Sequence, residues 1–299
     1  MNVTEPVVLE GHSGHVMCVL FSPDSKNLLS AGFSGELFLW SVGGWKNIRA
    51  FKGHTNSVNA LSFSTDGRTL ASVSTDTTLK LWSYPSGELL TSIAADKKPV
   101  MSVRFSPKGD SLATASYGPI IRLWSLPLCE EIVAMKGYPK NNGPVAFSPD
   151  GKLLFSGGMG NSVFVWSTAS GEKVDELSGH KTAVMAVMLL GDNRHFVTAD
   201  YHGMVIVRSV KDRKVVRTIQ TQGKGMMGIA LSPEGKVLAL TKPNGVDLVS
   251  FTDGSFIGSL PVKAQGVYSV KFSPDGKWLA AAAADKRVRA WEMKKLKIA

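Results

Sequence analysis

What this sequence lacks excludes several classes of protein. In 299 residues there are two cysteines, Cys18 and Cys129, so neither a disulfide-stapled scaffold nor a cysteine-built zinc centre is available. No apolar run approaches the roughly 20 residues that cross a bilayer as a helix. Met1–Glu10 has neither the basic segment nor the apolar core of a signal peptide, so the expectation is a chain of the cytoplasm, or of the nucleus in a eukaryote. No long 3.6-residue apolar period is visible, which argues against a helical fold.

Catalytic and metal-binding signatures are missing too. There is no Gly-x-Ser-x-Gly elbow for a serine nucleophile. The six histidines show neither HxxxH nor HxH spacing, and His15, His195 and His202 fall in three separate turns or strand starts. Gly157-Gly158-Met159-Gly160 resembles a phosphate loop, but it sits between strands and opens no helix, so a turn is the expectation. Cys129 has no histidine–asparagine context for a nucleophile. No catalytic residue, cofactor or metal is therefore expected, and a hydrolase is the remotest reading.

Acidic residues are the scarcer charge: 24 against 34 lysines and arginines, a net +10. Lys211, Arg213, Lys214 and Arg217 cluster in one segment, and Lys286, Arg287, Arg289, Lys294, Lys295 and Lys297 crowd the end. Such a face attracts phosphate or an acidic protein, whereas lysines on outer strands also block edge-to-edge pairing. Hydrophobic residues make up 43%, enough for a full core, which excludes wholesale disorder.

What is present is a repeat. Phe-Ser-Pro-Asp-Gly and its variants begin at Phe21, Phe63, Phe105, Phe147, Leu189, Leu231 and Phe272, a period of 42 residues with one single-residue deletion. Pro fixes φ and Gly accepts positive φ, so each copy is a tight turn. Short apolar strands precede and follow it, as in Val100–Phe105 and Trp278–Ala283. A third strand ends at Trp40, Trp82, Trp124, Trp166, Arg208, Val249 and Trp291. A fourth runs through Asn47–Phe51, Glu88–Ile93 and Glu130–Met135. Four strands per unit make a propeller blade.

Gly11-His12, Gly53-His54 and Gly179-His180 open repeats, and Trp-Ser closes them at Trp40, Trp82, Trp124 and Trp166. This pattern resembles the WD-repeat family over essentially the whole chain. The resemblance implies an all-β fold, one seven-bladed propeller over residues 1–299, with a central channel and usually a scaffolding role. It also implies a locking His, Ser/Thr, Asp and Trp in each blade. The second repeat holds all four, His54, Ser72, Asp76 and Trp82. The first has Ser34 at the acid position, and the fifth has His202 and Arg208 at the acid and Trp positions. Leu9-Glu10-Gly11-His12 matches Phe51-Lys52-Gly53-His54, so Val3–Leu9 is expected to be the outer strand of the last blade, closing the ring.

Two aligned positions suggest a binding surface. The residue after Val16, Val58, Val100, Asn142, Val184, Met226 and Val267 in each first strand is Met17, Asn59, Met101, Gly143, Met185, Met227 or Tyr268, so four of the 11 methionines share one position. Seven residues before each third-strand Trp position stand Phe33, Thr75, Tyr117, Met159, Tyr201, Lys242 and Ala284. The resemblance turns both positions toward the channel mouth, where Met and aromatic side chains suit adaptable binding. The candidate partner-binding set is His15, Met17, Phe33, Asn59, Met101, Tyr117, Met159, Met185, Tyr201, Met227, Lys242 and Tyr268. The expected partner is a protein or peptide, with nucleic acid on the basic edges as the alternative, and the chain alone is expected to be a monomer.

Overall fold

The Ser-Pro-Asp-Gly turn is the local device that builds every sheet, and the fourth copy shows how. In the computed structural model, which describes residues 5–138, 141–221 and 223–296, Ser148 Oγ donates to Asp150 Oδ1 at 2.6 Å and accepts the Leu153 N–H at 2.9 Å. Asp150 Oδ1 accepts the Lys152 N–H at 3.1 Å, and Gly151 sits at φ +70. The turn satisfies its own polar groups and delivers two strands antiparallel. At the first copy Ser25 replaces glycine at φ 60, and its hydroxyl accepts the Asp275 N–H at 3.0 Å from the last copy of the turn.

The chain divides into two compact units, residues 1–59 with 221–299, and residues 60–220. The 60–220 unit contains sheets whose first strands are Val58–Phe63, which begins at the unit boundary, Val100–Phe105, Asn142–Phe147 and Val184–Leu189. Each continues through a second, a third and an outer strand in meander order, the outer ones being Leu89–Ala94, Glu131–Lys136, Lys173–Leu177 and Val215–Gln220. First strands of successive sheets lie side by side, so the inner faces bury continuous apolar layers such as Val100, Val103, Leu112 and Trp124.

The other unit holds three sheets of the same order, beginning at Val16–Phe21, Ile229–Leu231 and Val267–Phe272. In the last of these the outer strand is Val7–Leu9, antiparallel to Val288–Glu292 with Val7 opposite Ala290 and Leu9 opposite Val288. The N-terminal strand thus pairs where the sequence placed it, though it is shorter than Val3–Leu9, and Met1–Thr4 lie outside the described residues.

Two expectations need correction. The first strand of the sixth repeat starts at Ile229, not at Met226, because the Met227 and Gly228 N–H groups both donate to Thr241 Oγ1 at 3.0 Å instead of to a ladder. Nor do lysines guard every edge. The outer strands Leu89–Ala94 and Phe256–Pro261 carry no charge and expose Leu89, Leu90 and Phe256. Among the described residues no helix is long and apolar enough to cross a membrane.

Candidate functional site

In the 60–220 unit the first-strand position chosen from the sequence is a β-bulge. Val100 pairs with Ser116 and Ser102 with Ala115, leaving Met101 as the extra residue; Val184 pairs with Asp200 and Ala186 with Ala199, leaving Met185. A bulge withdraws one residue from the ladder and re-aims its side chain. The second position is fastened to the same end by a recurring backbone bond. The Tyr117 N–H donates to Pro99 O at 2.7 Å, Met159 to Asn141 O at 3.0 Å and Tyr201 to Ala183 O at 2.9 Å. Tyr117, Met159 and Tyr201 are 49%, 49% and 41% exposed, whereas Met101 and Met185 are half-buried. Thr75, at the same slot of the second repeat, is half-buried.

The other unit repeats the design in its first and last sheets. Met17 and Tyr268 are the bulged residues, the Phe33 N–H donates to His15 O at 2.7 Å, and the Ala284 N–H to Gly266 O at 2.9 Å. Here the side chains meet: His15 lies 5.9 Å from the Phe33 ring and 6.0 Å from Tyr268, stacked on the latter. Three residues chosen separately from the sequence form one aromatic cluster. Others are not drawn in. Met227 precedes its strand and is exposed, and Asn59 is half-buried, its Oδ1 accepting from Ser57 Oγ at 3.1 Å. Lys242 ends a strand, its ammonium 2.6 Å from Asp247.

Beneath these ends lie buried polar networks, some with residues the sequence reading missed. His12 Nε2 is 2.7 Å from Ser30 Oγ and its Nδ1 is 3.3 Å from Glu36, so Glu36 supplies the acid sought at Ser34. His180 Nε2 is 2.7 Å from Thr198 Oγ1 and its Nδ1 is 3.4 Å from Asp200, so Asp200 takes the place assigned to His202. Asp200 is fully buried and also accepts the His202 and Met204 N–H groups, both at 3.0 Å. Burial pulls both histidines below their ordinary pKa, against the opposing pull of the carboxylates, which leaves them neutral at pH 7. An acid shifted by two residues along the chain was the available signal.

The indole ladder is regular. Trp40, Trp82, Trp124 and Trp166 each donate from Nε1 to a hydroxyl of Ser30, Ser72, Thr114 or Ser156, at 2.7 to 2.9 Å. In the second repeat His54 is buried, and Asp76 Oδ1 accepts the Thr78 N–H at 2.9 Å. Ala281 stands in the equivalent place opposite Trp291, whose buried N–H has no partner among the described residues. Gly157 and Gly158 are strand residues rather than a turn. A Cβ on Gly157 would stand 2.7 Å from Val184, so glycine there permits two sheets to approach.

The sequence matches the WD domain, G-beta repeat family (WD40) at residues 4–41, 45–83, 87–125, 145–167 and 254–292, more than half of the chain. The chain belongs to the WD-repeat family. A search of curated proteins finds no match. WD-repeat proteins generally act as non-catalytic scaffolds for protein–protein interaction. The stretch 168–253, which the family model does not match, still forms antiparallel strands in the same meander order, from Lys173–Leu177 to Gly245–Ser250.

Half of the clustered basic residues are paired with carboxylates within the fold. Arg287 pairs with Glu10 at 2.8 Å, Arg289 with Asp285, and Lys294 and Lys295 with Glu292 at 2.9 and 2.7 Å. Arg213 meets Asp175 at 2.6 Å, while Lys211 and Lys214 are exposed. Lys297 lies outside the described residues. Arg208, standing where other repeats have Trp, is buried and donates to Ser178 O and Arg213 O.

Proposed function

We propose that residues 1–299 form a single seven-bladed WD-repeat platform, non-catalytic and cytoplasmic, that receives a peptide or protein loop at the bulged ends of its sheets. The observation that carries the reading is recurrence. In repeat after repeat a bulge and one backbone bond put a methionine or aromatic side chain at the same end of the sheet, partly or largely exposed. Exposed aromatic and methionine side chains gain affinity by leaving water, about 25 cal/mol per Å² before association costs. The pairing of Arg287, Arg289, Lys294 and Lys295 with carboxylates supports this end over the basic edges.

The test compares a Tyr117→Ala, Tyr201→Ala double variant with charge reversal at Lys211, Arg213 and Lys214, each scored for retention of partners captured from native lysate at low and high salt. The double variant is expected to lose about 100-fold in affinity, on the order of 3 kcal/mol, while the charge reversal keeps its partner. Loss only on charge reversal, with steep weakening in salt, would move the function to a phosphate-bearing partner.

A further inference from the structure

We propose that the segment received at the bulged end is acidic, an extended peptide in which aspartate or glutamate alternates with apolar anchors. This rests on the reading of that end as the partner site and names the chemistry of the partner.

The argument is a charge asymmetry between the two ends of the sheets in the 60–220 unit. At the bulged end each carboxylate is already engaged. Asp96 pairs with Arg122 and accepts from Ser116 Oγ at 2.7 Å. Asp76 accepts the Thr78 N–H and hydroxyl at 2.9 and 2.6 Å, and Asp200 is fully buried. The cations there are the reverse: Lys97, Lys98 and Lys181 are exposed, and their side chains make no ion pair among the described residues. Two of them flank the exposed tyrosines. Lys98 Cγ would lie 3.8 Å from a Cβ on Gly118, the residue after Tyr117. The Lys181 N–H is 3.3 Å from Asp200, the residue before Tyr201. At the opposite end the charges are matched along the chain, with Asp66 beside Arg68, Asp150 beside Lys152 and Asp192 beside Arg194.

The other unit obeys the same rule on its own. Glu10 and Asp285 are paired with arginines, whereas Lys263 and Lys286 are exposed and make no ion pair among the described residues. Open lysines between apolar tips complement a ligand that offers carboxylates between apolar side chains. A nucleic acid presents an unbroken line of phosphates and favours a continuous basic stripe, which these separated lysines do not make.

The experiment uses the full chain and three degenerate pools of 15-residue peptides. Alternate positions are drawn from Phe, Leu, Met and Tyr, and the remaining ones are held as Glu, Gln or Lys. A single-stranded oligonucleotide of matching charge is the fourth probe. By fluorescence anisotropy the Glu pool should bind at least about tenfold tighter than the Gln pool, and the Lys pool least. Lys98→Glu with Lys181→Glu should reverse the order of the Glu and Lys pools without moving the melting temperature, since both side chains are exposed. Equal binding of the Glu and Gln pools, abolished by Tyr117→Ala with Tyr201→Ala, would overturn the acidic preference and leave the platform reading standing. Binding of no pool, or binding indifferent to the tyrosines, would overturn both. An oligonucleotide that binds tighter than the Glu pool would assign the lysines to phosphate instead.

Discussion

The two ends of the sheets in the 60–220 unit are built from opposite uses of hydrogen bonding. At the Ser-Pro-Asp-Gly end side chains help to close the turn, as Ser148 and Asp150 do. At the bulged end backbone bonds such as Tyr117 N–H to Pro99 O act beside buried acceptors such as Asp200, and the tyrosine side chains are released outward. The comparison teaches that stability and recognition are separable here. The first end can be judged by melting alone, the second by binding.

Asp200→Ala should break that separation most. It removes a fully buried acceptor from the His202 and Met204 N–H groups and from beside His180, at a cost of about 3 kcal/mol in denaturant unfolding. Because Tyr201 follows directly, peptide binding should fall as well. Asp150→Ala is the counterpart at the other end. Its exposed carboxylate is worth about 0.5–1 kcal/mol, and binding should be unchanged. Equal binding losses in the two variants would show that the ends are not independent.

Acid should sharpen the contrast. His12 and His180, both buried near bulged ends, have pKa values held below 6.5 by burial, so the unfolded chain takes up protons there that the folded chain refuses. Stability is therefore lost as pH falls below about 6.5. Hydrogen bonds from Ser148 and the Lys152 N–H hold Asp150 below its ordinary 3.8, so that contribution persists until far lower pH and is lost as pH falls through the depressed value. Melting temperature should decline from about pH 7 to pH 5, with the bulged ends opening first.

Much of the fold was legible because its determinants are local. The 42-residue spacing, the turn residues and the alternation of apolar side chains placed Asn47–Phe51, Val100–Phe105, Val267–Phe272 and Trp278–Ala283 at the observed bounds. The misses share a different cause, because they depend on which side chain reaches across a sheet. Glu36 and Asp200 replace acids at neighbouring positions, and a pattern read at fixed offsets passes over them. The hydroxyl of Thr241 diverts two N–H groups and shortens the sixth first strand, which an alignment of strand positions does not show. With Ala281 ten residues before it on the neighbouring strand, Trp291 has no acceptor among the described residues, again a matter of what reaches across a sheet. The candidate site was legible as a set of positions. That His15 gathers Phe33 and Tyr268 around itself was not, because ring contacts depend on rotamers.

The most direct measurement is amide hydrogen exchange of the full chain with and without saturating Glu-pool peptide. The account predicts added protection in residues 97–103, 117–121, 181–186 and 201–204, and no change in 106–111, 148–152 and 190–194. Protection centred on the Ser-Pro-Asp-Gly turns or on residues 211–217, with the bulged ends unchanged, would contradict it.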